Sequence, residues 1–362
     1  MKLLILTQKV DMNDDVLGFF HGWVAEFAKH CEQVTVIALG VGEYDLPKNV
    51  RVFSLGKEKD ADLRGIRRGL ARTMYFVRFY RYIWRERENY DTVFVHMNQE
   101  YVLLGGIFWK ILGKKITLWR NHYVGSLLTR IAVLLCNHVF CTSKYSYTAR
   151  FKKTSIMPVG IDTDIFKRDA SVERKNNSIL FLGRISPVKN VDTFIEALKI
   201  LDSSGVVFVA DIYGDAADKD TEYYKKVRES AAFLGKKGMV VFHPGVPPRE
   251  TPRIYNQHEL FVNATQRGSF DKTILEAMAC ECLVVASNES VKNMFPEQFL
   301  PKERNVADLA KRLRGVMSLL EHEKEEYRKN FRHHAVEHNL THLADTLSEI
   351  LATLKKHVNC NM

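Results

Sequence analysis

The stretch from Leu260 to Ser287, LFVNATQRGSFDKTILEAMACECLVVAS, admits few folds. Leu260-Phe261-Val262 and Leu283-Val284-Val285-Ala286 are short, wholly apolar runs of strand formers. Between them Ile274, Leu275, Ala277 and Met278 recur at helical spacing, so the passage reads as strand, loop, helix and buried strand. Gly268-Ser269 lets the backbone approach a ligand closely. The amides of Phe270, Asp271, Lys272 and Thr273 are free at the helix start, and free amides plus the helix dipole attract an anion. Glu276 lies just over a turn further in, where a carboxylate can accept bonds from two neighbouring hydroxyls such as a ribose diol. A phosphate cradle followed by a diol acceptor suits a nucleotide. The plainer alternative is a core unit whose Glu276 is a solvated helix residue.

Strand and helix patterns alternate along the rest of the chain, which predicts parallel sheets with helices on both faces. Met1 to Leu6 is a first strand, the loop from Thr7 carries Asp11, Asp14 and Asp15, and Gly18 precedes an amphipathic helix from Phe19 to His30. Asp91 to His96 is a strand delivering His96 and Asn98 to its C-terminal end. Lys115 to Trp119 delivers Arg120, Asn121 and His122 to the same edge, where open α/β sheets bind ligands. The polar run from Lys167 to Ser178 has no apolar period and reads as a linker. Residues 1–166, 167–177 and 178–340 are therefore a first domain, a linker and a second domain. Residues 341–362 form a last helix.

The second domain opens with the strand Ser178 to Gly183, then Arg184-Ile185-Ser186-Pro187-Val188-Lys189-Asn190 and a helix from Val191 to Leu201. Gly183 allows a sharp exit from the strand and Pro187 fixes the loop. Arg184 and Lys189 then emerge at one sheet edge, and a guanidinium with an ammonium can neutralise a diphosphate without a metal. The acids near these motifs do not cluster. The six cysteines show no CxxC pair or zinc spacing, so no metal is expected and reduced thiols are.

Charge is uneven. The first 170 residues hold 26 Lys and Arg against 17 Asp and Glu, out of a net charge of +10 for the chain. Arg64 to Arg87 holds eight arginines against one acid, Glu86, interleaved with Tyr75, Phe76, Phe79, Tyr80, Tyr82 and Trp84. Such a helix suits an anionic bilayer surface, or a half-buried position from which its arginines reach water. Nucleic acid is disfavoured, because no recognition module accompanies it. No run approaches the ~18–20 apolar residues of a membrane span, and the N-terminus is too short of apolar length for a signal peptide. The expected location is cytoplasmic, peripheral on the inner membrane face.

Gly268 to Ala279, GSFDKTILEAMA, together with GRISPVKN at Gly183 to Asn190, resembles the nucleotide-sugar motifs of family 4 retaining glycosyltransferases of the GT-B fold, glycosyl transferases group 1. The common family form has two glutamates eight apart; this chain keeps the second as Glu276 and has Gly268 at the first. Asp271-Lys272 stands where many members carry Gly and an apolar residue, and Glu281 where Gly usually follows the helix. The resemblance implies two Rossmann-like doubly wound domains facing across a cleft, with the last helix packing back on the first domain. It implies Arg184 and Lys189 on the leaving diphosphate, Glu276 on the ribose, His122 positioning the donor sugar or acceptor, and Gly18 in a loop facing the diphosphate. His96, Asn98 and Arg120 are acceptor-side candidates, although for His96 a satisfied structural residue is the favoured reading. The implied reaction is metal-independent and cofactor-free: a sugar moves from a nucleoside-diphosphate sugar, with retention, to a hydroxyl of a lipid-linked glycan or glycolipid in surface polysaccharide synthesis. Two other classes stay open, a GT-B nucleotide-sugar epimerase and a catalytically silent binding or scaffold subunit. A nicotinamide dehydrogenase is disfavoured, since no GxGxxG follows the first strand.

Overall fold

A computed structural model describes residues 1–60, 65–265 and 270–356, which leaves Arg64, Gly268 and Ser269 outside the described residues. The chain divides into two units, residues 1–160 with 340–362, and residues 161–339.

In the first unit the elements run β1 (Lys2–Val10), α1 (Phe19–Lys29), β2 (Gln33–Val41), β3 (Val50–Ser54), α2 (Gly65–Arg85), β4 (Thr92–His96), α3 (Gln99–Ile111), β5 (Lys115–Trp119), α4 (Leu127–Leu135), β6 (His138–Cys141) and β7 (Thr154–Ile156). The strands form one parallel sheet in the order β3-β2-β1-β4-β5-β6-β7. Successive β1 residues feed opposite faces. Leu3 and Ile5 join Phe20, Trp23 and Phe27 of α1, whereas Leu4 and Leu6 join Phe79 and Ile83 of α2 and Trp109 of α3. Burial on both faces is why these strands read as continuous apolar runs. β1 continues to Val10, four residues past the expected Leu6, because Val10 is buried and Lys9 pairs with Asp11 and Asp14 at the strand end.

The second unit contains β8 (Lys175–Leu182), α5 (Val191–Ser203), β9 (Val209–Tyr213), α6 (Thr221–Lys236), β10 (Val240–His243), α7 (Thr251–Gln257), β11 (His258–Asn263), α8 (Lys272–Ala279), β12 (Leu283–Ala286), α9 (Val306–Met317) and α10 (Glu321–Glu337). Its parallel sheet has the order β10-β9-β8-β11-β12. Both sheets thus reverse direction once, between β1 and β4 and between β8 and β11. Chain crossovers lead away on either side there and leave a crevice at the strand C-termini.

The chain divides at Gly160 and Ile161 instead of within 167–177. The polar stretch belongs to the second unit, because buried Asn256 donates to the Lys167 carbonyl at 2.8 Å and accepts from the Asp169 amide at 2.8 Å. Residues 175–177 already form strand. Ile161 bridges to Asn339 at the other end of the unit. The last helix, α11 (Leu340–Lys356), lies on the first unit, where Leu343, Leu347 and Leu351 pack into the same core as Trp23 and Phe27.

Candidate functional site

The crevice between β8 and β11 is built by three chain exits. β8 ends at Gly183 with φ 147°, and β9 ends at Gly214 with φ 145°. A Cβ on Gly214 would lie 2.1 Å from the Gly183 carbonyl oxygen, so only glycine lets the two loops cross this closely. The Ile185 amide then donates to the Asp215 carbonyl at 2.9 Å, which fixes the loop carrying Arg184 and Lys189. Asn190, in the left-handed region at φ 49°, closes that loop by donating to the Ala264 carbonyl at 2.7 Å, so the loop after β8 is tied to the end of β11.

Arg184 is exposed, with no ion-pair partner among the described residues. Lys189 is half-buried and its ammonium is paired with Asp271. Asp271 is also the N-cap of α8, accepting from the Thr273 amide, and it takes bonds from Asn263 Nδ2 at 2.9 Å and Thr265 Oγ1 at 3.1 Å. Burial alone would raise this carboxyl. The Lys189 ammonium and the bonds from Asn263 and Thr273 outweigh it and hold Asp271 well below the usual carboxylate range. Lys189 thus has an internal counter-ion from the loop where an anion is expected to sit.

One turn into α8, Glu276 is buried and accepts from the Tyr255 hydroxyl at 3.2 Å. Burial pushes its carboxyl up, opposed by the Lys272 ammonium and the Tyr255 bond. Lys272 is half-buried, and burial pushes its ammonium down against the pull of Glu276 and Asp162. Phe270 is buried with its ring 5.4 Å from that of His338. The site thus combines three cations, a helix N-terminus and a buried carboxyl that its surroundings favour as a hydrogen-bonding, weakly acidic group. Such an arrangement can hold a phosphate group and a neighbouring polyol.

Tyr255, Asn263, Thr265 and Asn190 were not legible as site residues. Asn190 reaches the end of β11 because β8 and β11 are sheet neighbours, Tyr255 reaches Glu276 from the preceding helix α7, and Asn263 and Thr265 lie within eight residues of Asp271 without a motif to mark them. Gly268 and Ser269 lie outside the described residues.

In the first unit the expected edge residues separate. His96 is buried, stacks on Phe20 at 3.9 Å and lies 3.1 Å from Thr7 Oγ1, so it packs the core under α1 instead of standing open at the edge. Asn98 stands at the N-cap position of α3 without a side-chain capping bond, and its Oδ1 accepts from Gln8 Nε2 at 2.8 Å across the β1–β4 reversal. Arg120 spends its guanidinium on the carbonyls of His122 and Val124, at 3.2 and 2.8 Å, which holds the loop after β5. His122 is exposed, receives the Val124 amide on Nδ1 at 3.0 Å and stacks on Tyr123 at 5.2 Å. Gly18 caps α1 at φ −56° and ψ −29°, a conformation open to any residue.

Residues 162–337 match the family model described as glycosyl transferases group 1. A D-inositol 3-phosphate glycosyltransferase of Acidothermus cellulolyticus is 26% identical over 39% of this chain and 34% of its own length. A lipopolysaccharide 1,2-N-acetylglucosaminetransferase of Salmonella typhimurium is 27% identical over 49% of each chain. The chain thus matches half or less of these relatives' lengths. The crystal structure of Anabaena Alr3699/HepE in complex with UDP has the same fold, with a TM-score of 0.75 at 19% identity over 98% of this chain and all of that one.

Proposed function

Because residues 162–337 belong to the glycosyl transferases group 1 family, we propose that this protein transfers a sugar from a nucleoside-diphosphate sugar to a hydroxyl acceptor, with retention at the anomeric carbon. The observation that carries this reading is the loop after β8, which sets Arg184 and Lys189 at the β8–β11 reversal opposite the N-terminus of α8. Arg184 and Lys189 stabilise the charge that develops on the leaving diphosphate, Lys189 exchanging Asp271 for phosphate oxygens as the donor arrives. Glu276, held by Tyr255, accepts from the ribose. His122 serves the sugar or acceptor. Preorganised groups of this kind contribute roughly 3 kcal/mol each to the barrier. The two cations do the work otherwise given to a divalent metal, so turnover should be unchanged by EDTA.

The relatives named above include a lipopolysaccharide sugar transferase, which supports a glycan or glycolipid acceptor. The arginines of α2, unaccompanied by any acid within that helix, support a peripheral position on an anionic membrane face. No helix among the described residues is long and apolar enough to cross a membrane.

The test is a thermal-shift series with UDP, GDP, ADP, CMP and NAD on the wild type and on R184A/K189A. One nucleoside diphosphate should stabilise the wild type and leave the double variant unmoved. Stabilisation by NAD alone, or equal diphosphate binding by the variant, would overturn the reading. The Lys189–Asp271 pair also favours a second reading, a silent nucleotide-binding subunit in which that pair never opens. Diphosphate binding without turnover of any sugar donor would select it.

A further inference from the structure

The first unit contains a cavity of about 590 Å³ at the C-terminal ends of its central strands, between α2 and α3. It lies at the β1–β4 reversal, with Gln8 and Asn98 on one side. Its size falls in the range of small-molecule pockets. The floor is Leu55, Phe79 and Tyr101, all buried, and the walls are Tyr75, Phe76 and Leu104. The α2 wall is pinned on both sides. Arg78 donates to the Leu55 carbonyl at 2.6 Å, Tyr75 donates to Asp60 at 2.9 Å, and Tyr80 donates to the Leu104 carbonyl at 3.1 Å.

Its polar groups are few. Gln8 and Asn98 bond each other, the Tyr75 hydroxyl is taken by Asp60, and among the described lining residues one exposed cation, Arg72, is balanced by one exposed anion, Glu100. A sugar buried here would leave hydroxyls without partners, at a cost of about 1–3 kcal/mol each. A diphosphate would find no surplus of positive charge. Hydrocarbon meets neither penalty. The Tyr101 hydroxyl makes no hydrogen bond among the described residues and is left for one polar atom where the hydrocarbon ends. Outside the cavity, α2 exposes Met74, Val77 and Trp84 to solvent.

We propose that this cavity holds the aliphatic tail of the acceptor, an acyl or prenyl chain. The assignment to an acceptor rests on the glycosyltransferase reading; the binding of a chain does not. The full-length protein is titrated with dansyl-undecanoate, and dansyl-glycine serves as the chainless control. Saturable binding of the long probe alone is expected, weakened about tenfold by F76S or L104Q, which each remove an apolar wall. V77S, on the outward face of the same helix, should bind as the wild type does. Dodecyl glucoside below its micellar concentration should displace the probe. No saturable binding, equal binding of dansyl-glycine, or equal loss in V77S overturns the proposal. Displacement by phosphatidylglycerol vesicles but not by the glucoside also overturns it, by making the occupant a bilayer lipid. Thermal stabilisation by the nucleoside diphosphate is followed in every variant, so a failed chain site stays distinguishable from a failed donor site.

Discussion

At the residue scale, the least ordinary feature is that Asp271 neutralises Lys189, the cation that the sequence offers to a diphosphate. A carboxylate this close both competes for the ammonium and repels an incoming phosphate. D271N keeps an N-cap acceptor and removes the charge, so affinity for the nucleoside diphosphate that stabilises the wild type, measured by calorimetry, should rise about tenfold, roughly 1.4 kcal/mol. Unchanged or weaker binding would mean that Asp271 itself holds part of the ligand. The cations Arg184 and Lys189 were legible, since Gly183 and Pro187 fix the loop around them within eight residues of sequence. Their environment was not. Asp271 reaches Lys189 across 82 residues through strand neighbours that only the sheet order creates, and Tyr255 reaches Glu276 across 21, from α7 to α8. His96, favoured as a structural residue, is one. A strand end buried on both faces can present a histidine to the core as readily as to a ligand, and here Phe20 covers it.

At the scale of elements, helices with a plain apolar stripe were legible, including α1, α9 and α11. The helix α10 was not, although it spans Glu321–Glu337. Its inward face includes Lys324 and Arg328, which meet the buried Glu259 at 2.7 and 3.7 Å, so no continuous apolar stripe marks it. Removing a buried ionic partner strands the others; E259A should therefore cost about 3–5 kcal/mol in urea unfolding, whereas an exposed pair such as Lys226–Glu222 should cost under about 1 kcal/mol. The arginines of α2 were also visible beforehand, but the extent of the face they belong to was not. α3 abuts α2 through Trp84 and Phe108, ring centroids 5.9 Å apart, and meets α4 where Gly106 faces Leu135. These neighbours add Ile107, Ile111, Leu127 and Leu134, which are 65–79% exposed, to the surface of the unit. Exposed apolar side chains beside surplus cations suit an anionic bilayer. The partition constant onto phosphatidylglycerol vesicles, read by flotation, should fall about a hundredfold in L127S/L134S, since two leucines at about 1.5 kcal/mol each sum to about 3 kcal/mol when buried. Equal flotation with phosphatidylcholine vesicles, or no loss in the variant, would count against a membrane role for this face.

At the scale of the whole chain, the two parallel sheets follow from apolar runs that only double-sided burial explains, and they were legible. The point of division was not, because a polar run looks the same whether it dangles or is hydrogen-bonded to a distant Asn256. The second unit should also be acid-sensitive. Burial would raise Asp211, but the hydrogen bonds to His258 and His243 outweigh it and hold this carboxyl below its ordinary value, as Lys189 does for Asp271. A depressed folded value contributes stability above the unfolded value near ~4 and loses it as pH falls through the folded one. Urea midpoints should therefore drop as pH falls below about 4, less steeply in D211N; an unaltered slope would discount Asp211 as a source. The placement of α11 has a consequence for how the molecule is made. Leu343, Leu347 and Leu351 complete a core begun by Leu3, Trp23 and Phe27, yet a ribosome delivers them only after all of the second unit. During synthesis the earlier-made sheet waits with one face open to water, so the N-terminal half, which a nascent chain normally folds first, is here the last to close.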